Sequence, residues 1–260
     1  MGGEKKTILI TGSTDGIGLA TARSLVAQGH RVLLHGRNPA KLEAVRAELG
    51  DGVEAFAADL SDFAQVESLA QAVAAQHDHL DVLINNAGVY AVRETVTDDG
   101  LDVRFAVNTI APYLLTKRLL PQLGPNGRVV NLSSAAQWPV DLNALTGDAG
   151  LTDDAAYSQS KLALTMWSAA LAASVDPAVI AVNPGSMLGT KMVADAYGVD
   201  GGDIGIGADI LGRAALSEEF ADASGKYFDN DKGRFAPPHP DALDPDKCEA
   251  VVRAIEALLA

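Results

Sequence analysis

The sequence predicts an α/β protein built on a doubly wound, mainly parallel sheet of seven strands, with helices on both faces. Three observations support this. Short runs rich in Val, Ile and Leu alternate with longer amphipathic stretches along nearly the whole chain. The strand runs are continuously apolar rather than alternating, as in strands covered on both faces. The first run also leads straight into a glycine-rich turn that opens a helical pattern.

In order, TILIT (7–11) is the first strand, followed by a helix over about 16–28. RVLLH (31–35) precedes a helix at 39–49, and VEAFAA (53–58) precedes one at 62–77. DVLINN (81–86) is the fourth strand, after which 98–123 reads as one long helix. GRVVNLSS (127–134) leads to a helix at 154–174, and AVIAVNP (178–184) to one at 207–218. GKYF (225–228) is the seventh and weakest strand, and a last helix covers about 245–259. Right-handed crossovers between parallel strands give the doubly wound layering.

No internal repeat, low-complexity tract or Pro- or Ser-rich linker interrupts this pattern, so one domain over 1–260 is expected, with 1–5 as a tail. Segments 135–153 and 193–206 follow strand C-termini, where an open α/β sheet forms its ligand crevice. They are expected to be substrate-side loops, the second either a mobile lid or a slack surface loop. RFAPPHP (234–240) falls outside the pattern.

Composition narrows the function. A chain with 48% apolar and 21% charged residues folds rather than staying disordered. A net charge of -14 without a basic run disfavours nucleic acid and anionic membranes. The single cysteine, Cys248, excludes an internal disulfide and a thiolate metal cluster, which suits a reducing cytoplasm. No stretch approaches the roughly 18 apolar residues of a membrane span, and the N-terminus lacks a signal-peptide pattern. No metal site is expected.

The turn TGSTDGIG (11–18) carries the first chemical information. Gly12, Gly16 and Gly18 allow a tight turn, close approach of a pyrophosphate and close helix–sheet packing. Asp15 suits a helix N-cap, and the free amides of that helix N-terminus suit phosphate oxygens. A flexible strand–helix turn without a ligand is the plain alternative. No Gly-Lys-Ser/Thr follows, so this is not a nucleoside-triphosphate P-loop.

The Gly-x3-Gly-x-Gly spacing resembles the first turn of the short-chain dehydrogenase/reductase family. Further signposts of that family follow in register over nearly the whole chain: NNAG (85–88), Asn108, NLSS (131–134), Tyr157 with Lys161, and NPG (183–185). The resemblance implies a Rossmann fold and an NAD(P)-dependent oxidoreductase interconverting a carbonyl and an alcohol. It implies that Ser13 and Ile17 share the pyrophosphate turn, that Asp59 and Leu60 flank the adenine, and that Asn86, Ala87 and Gly88 approach the adenosine ribose. Pro184, Gly185, Met187 and Thr190 are placed at the nicotinamide, although Thr190 lies five rather than four positions after the glycine. Asn85 is either part of that site or a structural turn residue.

After the second strand an acidic residue would bind the ribose 2′-hydroxyl of NAD, but this chain has Gly36 followed by Arg37. A guanidinium can hold a 2′-phosphate in bidentate fashion, so NADP(H) is preferred, with NAD(H) as the alternative. Otherwise Arg37 caps an exposed loop.

Tyr157 and Lys161 lie four apart, on one helix face. A phenol with an ordinary pKa of about 10 is a poor acid–base group at neutral pH. A neighbouring ammonium, together with a cationic oxidised nicotinamide, should favour the phenolate and lower that value. By resemblance Ser134, rather than Ser133, orients the substrate oxygen, and Lys161 also holds the nicotinamide ribose. Asn108 either holds a water on a proton path or is a buried structural amide.

The 23 positions from Ser134 to Tyr157 resemble the branch containing retinol dehydrogenases, protochlorophyllide reductases and carbonyl reductases. Tyr90, Trp138, Met187, Leu188 and Met192 suggest an apolar pocket for a lipophilic carbonyl or alcohol. A double-bond reductase and a non-catalytic NADP-binding sensor are the competing readings; product analysis separates the first, and absence of turnover on a broad carbonyl panel the second. Family dimers and tetramers use helices corresponding to 98–123 and 154–174, so a homodimer or homotetramer is a further expectation.

Overall fold

Strands β1 (Thr7–Ile10), β2 (Arg31–Gly36), β3 (Val53–Ala57), β4 (Val82–Asn85), β5 (Arg128–Leu132), β6 (Ala178–Asn183), β7 (Tyr227–Asp229) and β8 (Arg234–Phe235) form one sheet. Their order is β3-β2-β1-β4-β5-β6-β7-β8. The structure, a computed structural model, describes residues 4–50, 52–147 and 150–260. Residues 1–3 of the expected tail and 148–149 of the 135–153 loop lie outside the described residues.

The first seven strands are parallel, as expected, but there are eight. β8 comes from the unassigned RFAPPHP stretch and pairs antiparallel with β7 through Phe228–Phe235 and Asp229–Arg234. Two residues are too short for a periodic signal. Their anchor is tertiary: the rings of Phe220, Phe228 and Phe235 meet at centroid distances of 5.1 to 5.2 Å.

Successive strand residues point to opposite faces. Leu9, Leu33, Leu83, Val129 and Val179 enter one core, while Ile8, Ile10, Val32, Leu34, Ile84, Val130 and Ile180 enter the other. Both faces are therefore apolar, which is why these strands read as unbroken hydrophobic runs.

Helices α1 (Gly16–Ala27), α2 (Pro39–Leu49) and α3 (Phe63–Gln76) start at Asp15, Asn38 and Asp62, whose side chains accept from first-turn amides. The expected single helix at 98–123 is instead composite. It opens at α4 (Val103–Phe105), widens into a π turn (Ala106–Ile110) and continues as α5 (Ala111–Leu123). Its start is set by Asp102, which caps Arg104 N at 2.8 Å. The Arg104 side chain, 1% exposed, donates to Asp102 and to Asp153, both at 2.6 Å. That pair ties the helix to α7 (Asp153–Ala172), which follows the short α6 (Leu142–Leu145).

The 193–206 segment is also more regular than expected. α8 (Lys191–Tyr197) is capped by Thr190 and ends at Gly198 in the left-handed region, φ 67°. α9 (Ile204–Leu216) follows, and α10 (Pro245–Leu258) closes the chain. α10 lies along α7, and Tyr113 of α5 donates to Glu256 at 2.7 Å. Part of the α5–α7 face expected to meet a second subunit is thus covered by the chain's own last helix. No helix among the described residues is long and apolar enough to cross a membrane.

Candidate active site

The site forms along the C-terminal ends of β1 to β6, beginning at the glycine turn. Gly12 has φ +65°, and a Cβ there would come 2.9 Å from Ala87 Cα. A Cβ on Gly18 would come 2.3 Å from Gly12 O. Glycine is required at both positions for close approach. Asn86 stitches this turn to β4: its Nδ2 donates to Thr11 O at 2.8 Å and to Gly12 O at 3.1 Å. Asp15 caps α1 by accepting from Gly16 N at 2.8 Å, as its position predicted.

His35 supports the turn from below, and sequence reasoning missed it. Its Nδ1 accepts from Gly12 N at 3.2 Å, so Nε2 carries the proton donated to Ala58 O at 3.1 Å. Burial pushes the imidazole down to about 4, so it stays neutral near pH 7. Ser13 faces this support rather than the cleft: it is fully buried, and its Oγ accepts from His35 N at 2.9 Å.

A Cβ on Gly36 would stand 2.7 Å from Thr14 Cγ2, so the Thr14 methyl covers the place an acid would take. Arg37 lines the cleft beside it. Its guanidinium has no hydrogen bond or ion pair among the described residues, so it caps no loop there. Asp59 and Leu60 line the same end, with Asp59 Oδ1 accepting from Ser61 N and Oγ at 2.9 and 2.7 Å.

Asn85 turns into the core, where its Nδ2 donates to Asn131 Oδ1 at 2.8 Å and Thr116 Oγ1 at 3.1 Å. Its role there is structural. Asn108, in the π turn, is 1% exposed and does not line the cleft. Its Oδ1 accepts from Val89 N at 2.8 Å, and its Nδ2 donates to Val89 O at 2.9 Å and Ser160 Oγ at 3.0 Å. These bonds occupy both N–H groups and one of the two acceptor sites of Oδ1. Asn108 thereby clamps the strand-four loop to α7.

The two serines after β5 separate. Ser133 lines the cleft, buried against Thr165 Oγ1 at 2.6 Å, whereas Ser134 is outside the lining and its Oγ accepts from Ala136 N at 3.1 Å. Lys161 is 4% exposed, with Nζ donating to Leu132 O at 2.7 Å and lying 5.7 Å from the Tyr157 ring centroid. Burial lowers this ammonium to about 8. Burial also raises the Tyr157 phenol; the Ser134 hydrogen bond pulls it down and Tyr197 adds to the rise. Burial is the largest cause, so in the cofactor-free protein the phenol stands above its ordinary value. Tyr90 packs edge-on to Tyr157 at 5.0 Å, donates to Asp154, and accepts from Tyr197 of α8 at 3.4 Å.

After β6, Pro184 and Thr190 line the cleft, and Thr190 Cγ2 approaches Gly16. Gly185 (φ +119°) and Met187 do not line it, and the Met187 side chain is 45% exposed. Leu188 is buried against Gly185 and Gly207, so it leaves the expected apolar pocket, and Trp138 stands on the surface. Tyr90 and Met192 remain in the cleft wall. Burial would raise the Asp231 carboxyl, but hydrogen bonds from Ser186 and Asn183 hold it below the usual carboxylate range.

The result is an open cleft of about 440 Å³. One end holds the glycine turn, Arg37, Asp59 and Leu60; the middle holds Asn86, Ala87 and Gly88; the other end holds Tyr157 and Lys161. A glycine turn too tight for a Cβ at Gly12 and Gly18, helix-start amides and a guanidinium with no partner among the described residues fit a dinucleotide lying along it.

Comparison with known proteins agrees with this geometry. The family model described as short chain dehydrogenase matches residues 6–198. Human retinol dehydrogenase 13 is 31% identical over 266 residues, covering 92% of this chain and 80% of that protein. The crystal structure of an uncharacterized protein from Mycobacterium paratuberculosis superposes with TM-score 0.81 at 30% identity, over 97% of this chain and 92% of that one. A metagenomic short-chain oxidoreductase in complex with NADP gives TM-score 0.63 at 31% identity, over 81% and 90%.

Proposed function

The chain belongs to the short chain dehydrogenase family, and from that premise we propose that it is an NADPH-dependent reductase of lipophilic ketones or aldehydes, also able to oxidise the matching alcohols. That it is an oxidoreductase acting on the CH–OH/C=O pair of a small molecule follows from the family and its relatives. The observation that carries the finer reading is the meeting of Tyr157 and Lys161 at one end of a cleft whose other end presents Arg37.

In this reading the glycine turn and the α1 amides bind the pyrophosphate, Asn86 to Gly88 border the ribose, and Pro184 and Thr190 border the nicotinamide. The nicotinamide, when bound, supplies or accepts the hydride. Ser134 donates to the substrate oxygen and orients it. Tyr157, kept protonated by its half-buried setting, gives that oxygen its proton during reduction and takes it back during oxidation. Lys161 holds the ribose hydroxyls and, with its ammonium near 8, exchanges protons close to working pH. Tyr90 and Met192 in the cleft wall favour an apolar substrate. A reducing cytoplasm suits the single buried Cys248. Assembly into dimers or tetramers through α5 and α7 would have to accommodate α10.

The test is steady-state kinetics on a panel of apolar ketones and polar sugars with each cofactor. We expect NADPH to exceed NADH by about tenfold or more in kcat/KM, and ketones to outrun sugars. Arg37→Ala should lower kcat/KM with NADPH by about 10- to 100-fold and leave NADH nearly unchanged, the range for losing charged hydrogen bonds. A wild-type preference for NADH of about tenfold would overturn the cofactor assignment.

A further inference from the structure

We propose that Asp231 is a positioning residue whose carboxylate holds loop 184–190 in the backbone shape that meets the nicotinamide half of the cofactor. This rests on the dinucleotide reading above. The loop contains Met187 at φ 53°, the one non-glycine residue in the left-handed region among the described residues. L residues keep that conformation only where their surroundings enforce it. The Met187 side chain, 45% exposed, is poorly placed to do so, which leaves the hydrogen bonds of the adjacent backbone.

On the C-terminal side, Gly202 N donates to Met187 O and Gly189 N donates to Gly202 O, both at 2.7 Å. On the N-terminal side one carboxylate accepts three of the anchoring bonds. Ser186 N donates to Asp231 Oδ1 at 2.8 Å, Ser186 Oγ to Oδ2 at 2.6 Å, and Asn183 Nδ2 to Oδ2 at 2.9 Å. All three donors belong to the loop or the strand end that roots it. Asn230 Nδ2 adds a bond to Pro184 O at 2.9 Å. Lys232 is paired at 2.8 Å with the neighbouring Asp229, whose Oδ1 accepts from Asp231 N at 3.2 Å. The tight return from β7 to β8 thus presents one acceptor to both polar groups of the residue preceding the strained position.

Isothermal titration of the full chain with NADPH and with 2′,5′-ADP, which carries only the adenosine half, tests this. Asp231→Ala is expected to weaken NADPH binding by about tenfold or more and leave 2′,5′-ADP within about twofold of wild type. Asp231→Asn, whose Oδ1 can still accept from Ser186 N, should recover a large part of the lost NADPH affinity. Unchanged NADPH binding by Asp231→Ala overturns the proposal. So does an equal loss for both ligands, which would indicate general destabilisation. Wild type that binds neither ligand removes the dinucleotide reading itself, and this assignment with it.

Discussion

Tyr157→Phe is expected to lower kcat for NADPH-dependent carbonyl reduction by about 10²–10⁴-fold, the usual worth of a positioned acid–base group. NADPH affinity should stay within about threefold, because the substitution removes one hydroxyl and no charge. The phenylalanine ring keeps the edge-on contact with Tyr90, whose centroid lies 5.0 Å away, so the cleft wall retains its shape. What disappears is the phenol hydroxyl, whose acidity Ser134 raises. Single-turnover rates and cofactor titration on one preparation separate chemistry from binding. Turnover close to wild type would sink the assignment of Tyr157 as proton donor.

Lys161→Met is expected to abolish most activity yet stabilise the cofactor-free protein at pH 7. Burial depresses the Lys161 ammonium from 10.5 to about 8. At about 1.4 kcal/mol per tenfold, holding it charged in the fold costs roughly 3 kcal/mol. Below pH 8 the folded and unfolded chains both carry the proton, so the cost is present in full. Between about 8 and 10.5 the unfolded chain binds more protons than the folded one, stability rises with pH, and the cost fades. Methionine removes the charge but forfeits the hydrogen bond to Leu132 O, worth about 1 kcal/mol. A net gain of about 1–2 kcal/mol at pH 7 should therefore shrink to nothing or reverse by about pH 10. Urea unfolding at the two pH values reads it directly. Equal destabilisation at both would mean that the buried ammonium carries no such penalty.

Both expectations concern groups that a linear reading located but whose environments it could not supply. Tyr157 and Lys161 stand four apart, so a helix necessarily puts them on one face. Whether the ammonium depresses the phenol depends on how much water the fold removes from both, and here desolvation dominates. In the same way NLSS located two serines, but only the packing of α7 turns Ser133 to Thr165, while Ser134 Oγ accepts from Ala136 N. For Asn108 the identity was legible and the partners were not: Val89 is 19 residues away and Ser160 is 52.

By itself the amino-acid order determined the parallel sheet, the cofactor-facing turn and the residue types gathered at the cleft. Continuous apolar runs, glycine spacing and helical periodicity are properties of neighbours along the chain. The eighth strand, the helix inside the 193–206 loop, the His35 support beneath Gly12 and the Asp231 anchor 45 residues beyond Ser186 were decided only by the tertiary structure. Each depends on groups far apart in sequence meeting where water is partly excluded. There a single contact or the loss of solvation outweighs local preference, and no short stretch of sequence encodes either one.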